Sequence, residues 1–176
     1  KLLLFHDILY RHARTYINGS PVKNTRDSGF KYLTRYEYPD KMRLGKHHDG
    51  GYVIADGLEY DLFLSAGISG DISFEHDFLN SHSKIKGYAF DGTIDVSTIE
   101  KHKGLTLVQK NISSENTETT ENLSNYLSTH KDIFLKMDIE GAEYPWILSS
   151  DFTNVKQMAI EFHVWGGAAV PSLWNC

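Results

Sequence analysis

The chain has 176 residues, 40% of them hydrophobic and 12% aromatic, which suits one globular domain with a sizeable core and excludes wholesale disorder. A net charge of −5 and a pI near 6.0 give no basic field to gather nucleic acid. No run reaches the roughly 18–20 apolar residues that span a bilayer, so no membrane partner is evident. The single cysteine, Cys176, leaves no internal disulfide and slightly favours a reducing, cytoplasmic setting.

The chain opens at Lys1 rather than Met, as a processed product or an excised fragment would. Leu2 to Ile17 reads as an amphipathic helix, with Leu4, Ile8 and Leu9 on one face and Arg11, His12 and Arg14 polar. Asn18-Gly19-Ser20-Pro21 ends it. Residues 1–41 therefore form an N-terminal helix and extension, and 42–176 the main domain. Asp49-Gly50-Gly51, flanked by Arg43-Leu44 and Tyr52-Val53-Ile54, predicts a β-hairpin; the same glycines could instead line a ligand pocket. The adjacent His47 and His48 point to opposite faces of a strand and make a poor metal pair.

Tyr60 to Ala66 is a short apolar run ending in Gly67-Ile68-Ser69-Gly70-Asp71. It reads as a buried strand entering a tight turn. Ile72 to His82 follows with helical spacing at Phe74, Phe78 and Leu79. A strand, a glycine turn and a helix N-terminus make a ligand site at a strand's carboxyl end. Lys84 to Phe90 is a second strand, ending at Asp91. Asp91 lies 24 residues after Gly67, where an acidic group can accept hydrogen bonds from a ribose diol.

Val96 to His102 suits a short helix, and Leu105 to Gln109 a third strand, followed by Asn111-Ile112. Glu115, Glu118 and Glu121 read as the solvated start of a helix whose apolar face is Leu123, Tyr126 and Leu127. Ile133 to Met137 is a fourth strand, and the block Asp138-Ile139-Glu140-Gly141-Ala142-Glu143 gathers three carboxylates at its end. Glu143 reads as a solvated surface group, whereas Asp138 stands where such folds keep functional groups. Pro145 fits the first turn of the next helix. Lys156 to Val164 is a fifth strand that sets Glu161 and His163 on one face. The pattern predicts an α/β, Rossmann-like doubly wound sheet of about five mainly parallel strands flanked by helices, with the N-terminal helix and β-hairpin as an extension.

The turn discriminates among cofactors. A dinucleotide site wants Gly-x-Gly-x-x-Gly, but Ser69 and Ile72 stand at the second and third glycines. A phosphate loop needs Gly-Lys-Ser/Thr, and Asp71 would repel phosphate. A ligand with a positive end and a ribose diol fits better, and S-adenosylmethionine has both.

The pieces Arg43-Leu44-Gly45, Asp49-Gly50-Gly51-Tyr52-Val53, Ser65 to Glu75, Phe90-Asp91, Phe134 to Glu143 and Ile160-Glu161-Phe162-His163 resemble the FkbM-like group of class I S-adenosylmethionine-dependent methyltransferases. The resemblance runs from about Arg43 to His163 and implies methyl transfer to an oxygen of a small molecule or sugar. It implies that Gly67, Ser69 and Gly70 approach the methionine part, beside Asp71, whose charge suits the ligand's positive end. Asp91 would hold the ribose, Asn111 and Ile112 would lie near the adenine, and Asp138 would sit by the sulfonium and acceptor. Class I methyltransferases usually add two strands after the fifth. Only residues 164–176 follow His163 here, so a shortened sheet and an incomplete acceptor pocket are expected.

His163 is the candidate base, with Asp138 and Glu140 behind it; a structural histidine is the competing reading. No metal is assigned, although Asp138, Glu161 and His163 are chemically suitable ligands. The alternative function is a non-catalytic S-adenosylmethionine-binding or scaffold domain that kept the fold.

Overall fold

A computed structural model describes residues 2–5 (backbone only), 39–47 and 50–163. Its centre is a pair of strands whose sequences are almost wholly apolar. β4 (Leu62–Ala66) and β9 (Ile133–Met137) are buried along their full length, as strands covered on both faces must be. They pair in parallel, Leu62 opposite Ile133 and Ala66 opposite Met137.

From β4 the chain steps outward to β5 (Lys86–Phe90) and β6 (Leu105–Val108). It then crosses back to β9 and continues to β10 (Val155–Ile160). The sheet order is β1-β10-β9-β4-β5-β6, and every neighbouring pair is parallel. The direction of winding reverses between β4 and β9. In doubly wound sheets the ligand crevice opens at the carboxyl ends of such a pair. Gly67 and Asp138 are the first residues past those two ends.

The sixth strand is β1 (Leu2–Phe5), parallel to β10 with Leu2 opposite Gln157. A helix is the expectation there. A short unbroken apolar run carries no period that separates helix from strand, and the outer edge of β10 takes it. The rest of that expected helix, the Val22–Tyr38 extension, His48, Asp49 and the C-terminal glycine-rich loop lie outside the described residues.

Opposite faces of β4 and β9 meet different layers. Leu62, Leu64, Ala66, Leu135 and Met137 pack with Trp146, Leu123 and Leu127, which come from α2 (Ser124–Thr129), α3 (Glu143–Ser149) and the loop before α2. On the other face Phe63 and Phe134 meet Phe74 and Phe78 of α1 (Ser73–Ser81). Phe63–Phe78 and Phe78–Phe134 ring centroids are both 4.4 Å apart, within the range where aromatic pairs attract.

The expected hairpin forms from β2 (Lys41–Leu44) and β3 (Tyr52–Ala55), antiparallel with Leu44 opposite Tyr52. It is pinned to α1. The Gly45 amide donates to Asp77 Oδ2 at 2.9 Å and the Lys46 amide to Ser73 Oγ at 3.0 Å. Tyr52 meets Phe74 edge to face at 5.3 Å.

Two expectations change. Of Val96 to His102, only Val96–Thr98 turns, as one 3₁₀ segment capped by Asp95. Glu115, Glu118 and Glu121 do not begin a helix. Glu115 and Glu118 lie in a loop, and Glu121 lies in β8 (Thr120–Glu121), which pairs with β7 (Asn111–Ile112). Thr117 Oγ1 accepts from the amides of Thr119 and Thr120 at 3.2 and 3.1 Å. Such local side-chain bonds compete with the helical ladder, and α2 starts only after Leu123 has turned left-handed (φ 63°).

Candidate active site

Past the end of β4 the chain turns sharply, and the Gly67 amide donates to the Phe90 carbonyl at 2.9 Å. Gly67 has φ +73°, and a Cβ there would lie 1.6 Å from the Asp138 carbonyl oxygen. The neighbouring strand end alone therefore requires glycine here. Gly70 differs: at φ +85° a Cβ would meet nothing within 4 Å. Between them Ser69 is also left-handed, at φ 45°, a strained state for a residue with a Cβ.

The turn wraps round Asp91. Asp91 Oδ2 accepts from the Ile68 and Ser69 amides at 3.1 and 2.9 Å. Oδ1 accepts from the Thr93 amide and hydroxyl at 2.8 and 2.6 Å. Burial opposes the charge, but the Thr93 hydroxyl and the Ser69, Thr93 and Ile68 amides outweigh it and hold the carboxyl below its ordinary value. Asp91 thus takes donors from both the turn and its own strand end.

The remaining cofactor-side candidates have structural partners. Asp71 Oδ2 pairs with Lys46 Nζ at 3.2 Å, and its Oδ1 accepts from the Ser73 amide at 3.0 Å, at the start of α1. Asn111 Oδ1 accepts from the Gly92 amide at 3.0 Å. A Cβ on Gly92 would lie 2.7 Å from the Asn111 carboxamide, so that side chain sits directly over the loop after Asp91. Ile112 is buried in the core with Phe90 and Leu123.

The end of β9 is electrostatically different. His163 Nδ1 donates to Glu143 Oε1 at 3.0 Å. Its Nε2 faces Glu140 Oε2 at 3.5 Å, Asp138 Oδ1 at 3.6 Å and Glu161 Oε1 at 3.7 Å. Burial pushes the imidazole toward neutrality. The Glu143 hydrogen bond and the charges of Glu140, Glu143 and Asp138 prevail, and its pKa is raised. A histidine with raised proton affinity is a weaker candidate for the base than its unperturbed pKa suggests.

Glu143 is not a solvated group. It is fully buried, and its Oε1 also accepts from the Ile139 and Gly141 amides, each at 3.2 Å. The loop closes on this carboxylate by taking Glu140 and Gly141 to φ 54° and 105°. Glu143 lies at the start of α3, where the helix dipole favours an anion. Its burial follows from the loop folding back, which spacing alone does not reveal.

Four further polar residues lie buried beneath these strand ends, and sequence reasoning did not select them. Tyr52, carried in by the hairpin, donates its hydroxyl to Asp138 Oδ2 at 3.0 Å. Burial first, then the charges of Asp138 and Glu161, push its pKa far above the phenol range. Buried Lys136 donates through Nζ to the Gly67 carbonyl, stands 3.8 Å from Glu75 Oε1, and lies 5.5 Å from the Tyr52 ring centroid. Ser65 Oγ donates to the same Glu75 oxygen. The available signal was polarity out of place. Ser65 and Lys136 interrupt apolar strands two residues after Phe63 and Phe134, so each shares a face with an aromatic. Glu75 shares the buried helix face of Phe78 and Leu79.

An all-parallel sheet, a crevice at the reversal of winding and an acidic group at the tip of the strand beside the glycine turn define a Rossmann-like α/β protein. A family model described as the methyltransferase FkbM domain matches residues 17–170, and the chain belongs to that family. No curated protein and no solved structure matches it. No helix among the described residues is long and apolar enough to cross a membrane.

Proposed function

We propose that the protein transfers a methyl group from S-adenosylmethionine to an oxygen of a small molecule or sugar. Family membership supports methyl transfer in general. The observation that carries the choice of donor is Asp91, held ionised where the glycine turn and two strand ends meet. Its environment suits a ribose diol, and the lysines that reach the turn, Lys46 and Lys136, are engaged by Asp71 and the Gly67 carbonyl.

In this reading Asp91 holds the ribose, and the diol exchanges with the Thr93 hydroxyl, whose proton can turn elsewhere. Gly67, Ser69, Gly70 and Asp71 border the methionine part, with the open space beside Gly70 admitting it. Asn111 and Ile112 border the adenine. S-adenosylmethionine, when bound, supplies an electrophilic methyl on a sulfonium. The protein's own task is then to align the acceptor hydroxyl and take its proton. In this reading Asp138 and Glu140 accept it, beside His163.

Calorimetry with S-adenosylhomocysteine is the direct test. Saturable binding by the wild type and its loss in Asp91→Ala are expected; a wild type that binds neither the donor nor this product would overturn the proposal. Labelled-methyl transfer across a panel of hydroxyl acceptors should give an alkali-stable methyl ether. Binding without turnover across the panel would favour the non-catalytic domain instead.

A further inference from the structure

We propose that Asp138, Glu161 and His163 form a divalent-cation site of the magnesium or manganese class, positioned to hold the acceptor hydroxyl. Ligand atoms of these three residues lie within 4.8 Å of one another. Bonds of about 2.1 Å set adjacent donors about 3 Å apart and opposite donors about 4.2 Å apart. The Nε2–Oδ1 distance of 3.6 Å and the Nε2–Oε1 distance of 3.7 Å fall between those values. Both exceed an ordinary N–H···O hydrogen bond, so the three groups gather round a point without closing on one another.

The outer contacts point the same way. Glu143 engages His163 Nδ1 at 3.0 Å, which turns Nε2 toward the carboxylates. The Tyr52 hydroxyl takes Asp138 Oδ2 at 3.0 Å and leaves Oδ1 facing that nitrogen. A carboxylate on the far nitrogen of a histidine and a hydrogen bond on the far oxygen of a carboxylate are how metal ligands are oriented. Charge supplies a separate argument. Among the described residues one imidazole stands beside four carboxylates, of which Glu143 is fully buried with an Oε2 that has no hydrogen-bond partner there. Such a group gains from a cation bound at the neutral imidazole beside it. Two carboxylates and one imidazole suit Mn²⁺ or Mg²⁺ better than a soft metal. Glu140, with its side chain 70% exposed, stands at the rim where acceptor and water enter.

The cation would lower the pKa of a bound hydroxyl and fix its oxygen, which makes proton removal easier for a neighbouring carboxylate. That role rests on the methyltransferase reading; the site itself does not. The test therefore uses no donor. Metal-stripped full-length protein is titrated with MnCl2, and free Mn²⁺ is followed by electron paramagnetic resonance. One Mn²⁺ per chain is expected. Glu161→Gln should weaken binding at least about tenfold and Glu143→Gln about 10–100-fold, with circular dichroism confirming that both variants fold. Absence of stoichiometric Mn²⁺ binding by the wild type, or unchanged affinity in both folded variants, would overturn the proposal. S-adenosylhomocysteine binding measured in EDTA reports on the methyl-donor reading alone, so either can fail without the other.

Discussion

The strand ends after β5 and β9 solve opposite electrostatic problems. After β5, a single carboxylate, Asp91, receives four donors from its own surroundings. After β9, a single imidazole faces four carboxylates. The first arrangement is balanced by neutral backbone and hydroxyl dipoles and can exchange one donor for a ligand's hydroxyl. The second, among the described residues, sets four carboxylates beside one imidazole, and a bound cation or a proton would ease it. A ligand bridging them would meet hydrogen-bond acceptance at one end and proton removal at the other.

The contrast is sharpest at the two glycines of the turn. Gly67→Ala should be the most damaging change, because its Cβ would enter the Asp138 backbone; a loss above about 4 kcal/mol is expected in urea unfolding. Gly70→Ala adds a Cβ in open space and strains only φ, so about 1–2 kcal/mol is expected. Equal losses would show that the strand ends do not touch as described.

Lys136 ties β9 to the end of β4 by holding the Gly67 carbonyl while facing buried Glu75. Lys136→Met leaves that carboxylate unpaired and should cost about 3–5 kcal/mol. Adding Glu75→Gln should return part of it, and a double variant no better than the single would remove the pairing.

Acid separates the ends further. The Asp91 carboxyl is held below its ordinary value. Its stabilisation is therefore present above a pH of about 3.9, the ordinary carboxyl value, and is lost as pH falls through the lower folded value. The melting-temperature gap between wild type and Asp91→Asn should narrow as pH drops from about 5 to about 2. A gap that stays constant would show that Asp91 is not held ionised by its donors. The smallest effect belongs to Glu140→Gln. Its exposed carboxylate should contribute under about 1 kcal/mol to stability, while methyl transfer falls if it lies on the proton's route.

Much of this was legible in order along the chain. Apolar runs bounded by glycine gave the central strands, and the distance from Gly67 to Asp91 drew attention to an acidic group that accepts from the turn's amides. What was not legible depends on which strands become neighbours. Lys136 and Ser65 look like interruptions until β9 lies beside β4 with Ser65 opposite Lys136, after which Glu75 has a reason to be buried. Glu143 looks solvated until its loop turns back on it. Leu2–Phe5 offered no period, and the Ser/Thr-rich stretch before α2 bonded its own backbone instead of a helix.

The Lys136–Gly67 contact joins residues 69 apart in sequence, and the Tyr52–Asp138 contact joins residues 86 apart. Neither can form until the central pair of strands has docked across the long excursion through β5 and β6. Loop closure over such separations slows folding. During synthesis the glycine turn emerges well before Asp138 exists to support it. The apolar edge of β4 therefore waits unpaired while the rest of the chain is made, and this edge is where a chaperone or an aggregate would first take hold.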